Sequence, residues 1–244
     1  MPYAFAFHYA PEVLDAVVLD EMLAWCTDEG PLEAAFHETS YVPAGQGKIR
    51  PGGSYRRAGV LERIEDPKVD AVWVRSAPGR PPALLMAGVP VGLTVAWKQV
   101  VLILHDEIIT GGDAVAFAHD FVVQCPPLSG AVEWHRSHRE AEAVTLGAFD
   151  DMLAPSVMDR AKQTARMAPH FGTHVRGPGW LTYLSAAHFA ELGTPGVRAL
   201  GAAAWGLHPA EEGALVQAAP TPTEFTPEIR TALARAFGGL LSRP

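Results

Sequence analysis

Alternation of aromatic and small residues at the start of the chain predicts a strand over Tyr3–Tyr9 with one buried face. Pro11 then marks a helix start, because proline in the first helical turn loses no hydrogen bond. The helix is predicted to end at Gly30-Pro31. Its apolar residues fall on one face: Leu14, Val17, Val18, Met22 and Trp25.

The middle of the chain alternates between apolar runs and turn residues. Three runs predict strands: Val69–Val74, Ala83–Val89 and Leu93–Leu104. Residues 100–104 are apolar on both faces, so we expect a central strand covered on both sides. Asp113 is placed to cap the next helix, which Pro126-Pro127 ends. A strand over Gly130–His135 and a helix over about Phe149–Met167 complete this region.

The last third gives the clearest local signals. Strands are predicted over Gly179–Leu184 and Gly213–Pro220, with a helix over about Ala186–Leu192 between them. Thr226 is a good N-cap and Pro227 a good first residue for the final helix. Ile229, Leu233 and Phe237 recur at helical spacing in it, so they should pack on the sheet.

Residues 42–58 are rich in glycine, proline, lysine and arginine, and we interpret them as a basic surface loop. The chain has no repeat and no linker that requires a domain boundary. We therefore expect one α/β or α+β domain over residues 1–244, with a central mixed β-sheet flanked by helices.

Charge narrows the classes of partner. The chain has 27 Asp and Glu against 19 Lys and Arg, a net charge of −8. An acidic surface repels phosphate backbones, so nucleic acid is not an expected partner. No apolar run reaches transmembrane length, so no membrane partner is expected. Two cysteines, Cys26 and Cys125, and no export signal at the start of the chain indicate a cytoplasmic protein.

Candidate chemistry is sparse. His135 and His138 stand near Glu140 and Glu142 in a spacing that resembles a metal site, but arginines interleave with them and further ligands are missing. We expect no metal, no cofactor and no catalytic residue. The strongest acid–base candidate is His105-Asp106-Glu107 at the end of the central strand, where a turn or cap role also explains the residues.

The C-terminal third carries a family resemblance. Gly177-Pro-Gly-Trp-Leu-Thr-Tyr-Leu-Ser185, the short helix to Gly193, and Gly213-Ala-Leu-Val-Gln-Ala-Ala-Pro220 resemble segments of bacterial immunity proteins associated with type VI secretion. This chain departs mildly from that pattern at Tyr183, Ala214 and Ala219. The matched positions are apolar, so we expect Trp180, Leu181, Leu184, Leu215 and Val216 to be core residues.

The resemblance implies an antidote that binds a cognate toxin effector in the cytoplasm and needs no cofactor. Many toxins that cleave nucleic acid have basic grooves, and an acidic antidote would be steered into such a groove. Three acidic pairs near element ends are therefore the candidate partner-binding residues: Asp106 and Glu107, Asp150 and Asp151, and Glu211 and Glu212. Asp150 and Asp151 would also suit a helix N-terminus.

Two other functions fit the same sequence. The first is a small cytosolic enzyme with a dispersed site near His105-Asp106-Glu107 and His135. The second is a structural subunit of a secretion apparatus. A single dominant protein partner favours the antidote, whereas a bound metal or metabolite favours the enzyme.

Overall fold

Strands and helices follow one another along the part of the chain that the structure describes. The computed structural model describes residues 1–28, 30, 32–41, 49–66, 68–88, 98–146, 154–167, 170–171 and 173–241. The strands are β1 (Pro2–Tyr9), β2 (Ala34–Tyr41), β3 (Ile49–Ser54), β4 (Val69–Ser76), β5 (Ala83–Gly88), β6 (Lys98–His105), β7 (Ser129–Trp134), β8 (Leu181–Ser185), β9 (Gly206–Ala210) and β10 (Gly213–Gln217). The helices are α1 (Ala16–Thr27), α2 (Arg57–Ile64), α3 (Gly111–Gln124), α4 (His138–Leu146), α5 (Pro155–Met167), α6 (Ala186–Ala203) and α7 (Pro227–Phe237).

All ten strands belong to one sheet, in the order β3-β2-β4-β5-β6-β1-β7-β8-β10-β9. Every neighbouring pair is antiparallel. The predicted mixed sheet is therefore wrong for these strands, and the α+β alternative describes the fold. The reason lies at β1: β6 and β7, joined by α3, run in the same direction, but β1 lies between them and pairs antiparallel with both.

The core occupies both faces of this sheet. On one face the aromatic residues of β1 lie under α1 and α3, where the rings of Phe7 and Phe121 stack at 4.8 Å between centroids. On the other face Ala4 and Ala6 share a cluster with Ala141 of α4. The alternation of large and small residues in β1 thus sets which helices lie on which side. Strand β6 is buried through residues 100–104, as its apolar faces predicted.

Two helix starts differ from the predictions. The helix expected to open at Pro11 begins at Ala16, because the Asp15 side chain accepts hydrogen bonds from the amides of the first turn. Helix α3 is capped by Thr110, and Asp113 stands in its first turn, where its amide donates to the Thr110 side chain.

The predicted loop over residues 42–58 is only partly a loop. Residues 42–48 lie outside the described part of the chain. Ile49–Ser54 forms β3, and Arg57 begins α2. Strand β3 contains Pro51 and two glycines, which a sheet tolerates at its edge, and β3 is an edge strand. The basic character is also partly neutralised, because Arg57 pairs with Asp20 and Asp28 of α1 or its end.

The C-terminal helix confirms its sequence signals. Thr226 accepts from the Ile229 amide, Pro227 is the first residue, and the helix ends at Phe237. Leu233 and Phe237 are buried against Leu184 of β8 and Val216 of β10. Helix α6 is longer than predicted, because it continues past a kink at Gly193 to Ala203. In the described residues, no helix has the length and apolar character that crossing a membrane would require.

Candidate partner-binding surfaces

Asp106 and Glu107 directly follow β6, at the end of the central strands where β1 begins. The Asp106 carboxylate accepts a hydrogen bond from the Met1 amino group at 2.5 Å, and this contact lowers the pKa of the Asp106 carboxyl below its usual range. The Glu107 side chain is 69% exposed. Asp106 is thus partly engaged within the chain, whereas Glu107 is open to a partner.

Glu211 and Glu212 form the turn between β9 and β10, and both are exposed. Neither carboxylate has an ion-pair partner in the described part of the chain. The backbone carbonyl of Glu212 accepts from the Tyr183 hydroxyl at 3.0 Å, which fixes the turn on β8. This turn and Asp106-Glu107 lie at opposite ends of the strands, since Gly213 pairs with the far end of β8.

The structure therefore does not bring the predicted acidic residues into one patch. The remaining pair, Asp150 and Asp151, lies outside the described residues. Two separate acidic turns remain as candidates, on different strands and at different ends of the sheet.

The two histidines whose spacing resembles a metal site face separate carboxylates. The His135 ring is fully buried, with Nε2 3.7 Å from Glu133 Oε2 and Nδ1 3.9 Å from Glu140 Oε1. His138 Nε2 lies 3.2 Å from Glu142 Oε1, which also accepts from Arg75 at 2.8 Å. Where the structure describes the chain, no three His, Cys, Asp or Glu side chains are arranged to hold one metal ion.

His105 and His135, the residues of the alternative enzyme hypothesis, lie at the same end of the sheet but do not contact each other. His105 pairs with Pro2 at the start of β1, and the His135 amide donates to the Pro2 carbonyl at 3.0 Å from the other side. The two histidines are therefore separated by one strand, roughly 9–10 Å across the sheet. His135 is buried, whereas His105 lies beside the chain terminus.

A cluster that the sequence did not predict centres on Glu133 of β7. Its carboxylate lies 3.5 Å from Arg160, 3.6 Å from Arg176 and 3.6 Å from Arg230. Arg160 also lies 3.5 Å from Glu140. Glu133 and the three arginines line a cleft of about 250 Å³ that Thr164, Gln163 and Val144 help to enclose.

Each arginine of this cluster comes from a different part of the chain. Arg160 stands on α5 and Arg230 on α7, while Arg176 lies between α5 and β8. Arg176 is held by hydrogen bonds to the Val144 carbonyl at 2.8 Å and the Thr164 hydroxyl at 3.3 Å. Arg230 donates to the Pro178 carbonyl at 2.9 Å and lies over the Phe225 ring. No local spacing links these positions, so the sequence gives no signal for the cluster.

Burial and charge oppose each other at Glu133. Burial raises the pKa of its carboxyl, but Arg176, His135, Arg160 and Arg230 together outweigh that effect and hold the pKa at about 2. Glu133 is therefore a carboxylate at neutral pH. The three guanidinium groups give the arrangement the charge that suits the binding of an anion.

The edge strand β9 and the residue before it carry exposed apolar side chains. Trp205, just before it, is 65% exposed, and Leu207 is 41% exposed. The Trp205 amide donates to the Gln217 carbonyl at 2.8 Å, so pairing with β10 extends to it. The alternation in Trp205-Gly-Leu-His was the signal that could have predicted this strand.

The segments that carry the family resemblance are structural. Trp180, Leu181, Leu184, Leu215 and Val216 are all buried, as predicted. Gly213 is required by packing, because a Cβ there would lie 2.1 Å from the Leu184 carbonyl oxygen. A Cβ at Gly179 would lie 2.9 Å from the Val132 carbonyl oxygen. The two glycines allow close approach of neighbouring strands, and the five apolar residues are part of the core.

Comparison with known proteins places the fold. No protein-family model matches the chain, and no curated protein matches it. Among solved structures, the Pseudomonas aeruginosa T6SS protein PA0821 is similar, with a TM-score of 0.58 and 14% identity. The match covers 98% of this chain and 73% of that one. The chain therefore has the fold of a protein associated with type VI secretion.

Proposed function

We propose that this protein is an immunity protein that binds and neutralises a cognate type VI secretion effector. The C-terminal resemblance to such proteins supports the proposal, and so does a fold shared with a type VI secretion protein over almost the whole chain. Its action is occlusion by protein–protein contact, with no cofactor.

The exposed apolar side chains at β9 are the observation that supports binding of a partner protein. Tryptophan is enriched among the residues that dominate interface energies, and Trp205 is 65% exposed beside Leu207 on an edge strand. Pro209 has no N–H, and its carbonyl oxygen lies 2.9 Å from His119 Nε2, which limits pairing with a further strand. The side chains of Trp205 and Leu207 therefore provide the anchor.

The net charge supports one class of effector. A chain of net charge −8 is attracted to a basic surface, and nucleases present such a surface to their substrate. We therefore place a nuclease first among the effector classes to test.

The test co-expresses the chain with the toxin encoded beside it in its genome. Wild type should restore growth and co-purify with the toxin in equal amount. Trp205→Ala should weaken capture by at least roughly 30-fold, which corresponds to a hot spot of about 2 kcal/mol. Val17→Ala is the control, because Val17 is an apolar residue with a similar exposed fraction, 67%, that lies on α1 and not beside β9.

Failure of wild type to restore growth or to capture the toxin would overturn the immunity function. If wild type succeeds and Trp205→Ala captures the toxin equally well, the function stands and the contact surface lies elsewhere. Thermal midpoints of both variants check that the fold is intact.

A further inference from the structure

We infer that the cleft around Glu133 binds a carboxylate. Under the proposed function, on which this part rests, that carboxylate is an acidic side chain of the effector. The cleft is lined by Arg160, Arg176 and Arg230, and it lies apart from the acidic turns and from β9.

Among the residues that the structure describes, the charges in the cleft do not balance. Three guanidinium groups face two carboxylates, those of Glu133 and Glu140. The ring of His135 lies between these carboxylates and adds no negative charge. A chain with a net charge of −8 thus contains a cleft with an excess of positive charge. Counted over these arginine and glutamate side chains alone, one further monoanion neutralises the excess, whereas a dianion such as phosphate would reverse it.

The guanidinium groups also retain free donors. Each has five N–H donors in a planar fork that matches a carboxylate. Their nitrogens lie 3.5–3.6 Å from Glu133, longer than the 2.7–2.9 Å or so of a strong charge-assisted hydrogen bond. Within the described residues, most of these donors have no protein acceptor, so a second carboxylate can enter without displacing Glu133.

Two of the three arginines are already held in position by contacts outside the ion cluster. Arg176 is 11% exposed and held by Val144 and Thr164, and Arg230 is held by Pro178 and the Phe225 ring. Arg160 is 43% exposed at the mouth of the cleft. Fixed donors lose little rotamer entropy on binding. The cleft volume of about 250 Å³ admits the end of an aspartate or glutamate side chain but not a large ligand.

The first experiment needs no partner. Wild-type protein is titrated with N-acetyl-glutamate N-methylamide, which carries one side-chain carboxylate, and with its glutamine analogue as the neutral control. The Nε–H signals of Arg160 and Arg230, assigned from the spectra of Arg160→Ala and Arg230→Ala, are followed by NMR. We expect both to shift with the glutamate probe, with a Kd of about 1 mM, and to stay fixed with the glutamine probe.

Arg166 is the internal reference, because it lies on the same helix, is exposed, and has no ion pair within the described residues. Absence of shifts at Arg160 and Arg230, or equal shifts at Arg166, would overturn the carboxylate site. Inorganic phosphate is the third probe, and tighter binding of phosphate than of the glutamate probe would overturn the assignment to a monoanion.

The second experiment identifies the source of the carboxylate. Arg160→Ala should weaken capture of the toxin by roughly 10- to 100-fold, the range of a lost hydrogen bond to a charged group, and Arg166→Ala should leave capture unchanged. If wild type captures the toxin and Arg160→Ala captures it equally well, the carboxylate does not come from the effector. If wild type captures no toxin, the proposed function fails, while the NMR result still decides whether the cleft binds a carboxylate.

Discussion

The indole N–H of Trp180 donates a hydrogen bond to the carbonyl oxygen of Ala219 at 2.9 Å. In return, the Ala218 amide donates to the Trp180 carbonyl at 2.8 Å. Trp180 precedes β8 and Ala219 follows β10, so the two contacts join the ends of neighbouring strands. Trp180, which lies in the segment that carries the family resemblance, therefore links β8 to β10. Trp205, by contrast, is exposed to solvent.

Replacing Trp180 with phenylalanine should destabilise the fold. The change removes the hydrogen bond to Ala219 and leaves unfilled volume at a site that is 1% exposed. We expect the free energy of unfolding to fall by roughly 1–3 kcal/mol in urea denaturation. The control is Trp205→Phe, at a side chain that is 65% exposed, where the change should stay within about 0.5 kcal/mol. Equal effects of both substitutions would contradict this assignment.

Phe237→Ala should lower the free energy of unfolding more than Trp180→Phe does. Phe237 is fully buried between α7 and the sheet, and emptying such a site costs roughly 3–5 kcal/mol. For a chain of this size the thermal midpoint should fall by roughly 6–20 °C. Arg235→Ala, an exposed position on the same helix, should leave the midpoint nearly unchanged. An unchanged midpoint for Phe237→Ala would show that packing of this side chain does not stabilise the fold.

The sequence predicted those elements whose signals are local. Strand β1 and helix α7 follow from hydrophobic periodicity and capping residues, and the covered strand β6 follows from its apolar faces. Strand pairing is not local. The insertion of β1 between β6 and β7 pairs residues that lie far apart in the sequence, from 89 positions (Tyr9 with Lys98) to 131 (Tyr3 with Trp134). The antiparallel sheet was therefore not predictable from the order of the strands.

The candidate sites show the same limit. Glu211 and Glu212 were predictable as an exposed acidic turn, because turn and charge are encoded in adjacent residues. The cleft was not predictable, because Glu133, Arg160 and Arg230 meet only after β7, α5 and α7 have packed. Charged residues that meet only in the folded chain have no characteristic spacing in the sequence.

The free energy of unfolding should fall at acid pH because the Glu133 carboxylate becomes protonated. Its pKa in the folded chain, about 2, lies below the ordinary value of 4.5, so its contribution is present above about pH 4.5 and is lost as the pH falls through about 2. That contribution is on the order of 3 kcal/mol. Glu133→Gln should therefore destabilise the protein at pH 7, and its difference from wild type should shrink between pH 4.5 and pH 2.

Urea denaturation of both proteins at a series of pH values measures this difference directly. Glu62→Gln, at an exposed glutamate of α2, is the control and should follow wild type at every pH. A gap between wild type and Glu133→Gln that stays constant down to pH 2 would show that the ion cluster does not stabilise the charged carboxylate.

Purified protein should contain no stoichiometric transition metal. His135 and His138 face different carboxylates, and Arg75 already pairs with Glu142 beside His138. A metal ion would have to displace these contacts to reach a ligand distance of about 2.0–2.1 Å from histidine nitrogen. Elemental analysis of protein prepared without chelator checks this. One zinc per chain, lost in a His135→Ala, His138→Ala double variant, would contradict the prediction and favour an enzyme.

Charge reversal should separate steering from anchoring at the interface with the effector. Glu211 and Glu212 are exposed, and neither carboxylate is ion-paired in the described part of the chain, so their field is available to a basic partner. Changing both to lysine should lower the association rate by roughly tenfold at low salt and reduce its salt dependence, while dissociation changes little.

The turn of Asp106 and Glu107 provides the comparison. Asp106 is bound to the Met1 amino group, so its reversal also removes an internal contact and should lower the thermal midpoint, which reversal of Glu211 and Glu212 should not do. Surface plasmon resonance at two salt concentrations resolves the rates. If neither reversal changes association, the acidic turns do not steer the partner, and the attraction comes from elsewhere on the chain. If reversal of Glu211 and Glu212 instead speeds dissociation, this turn is a buried contact, and the anchoring surface extends from β9 into the turn that follows it.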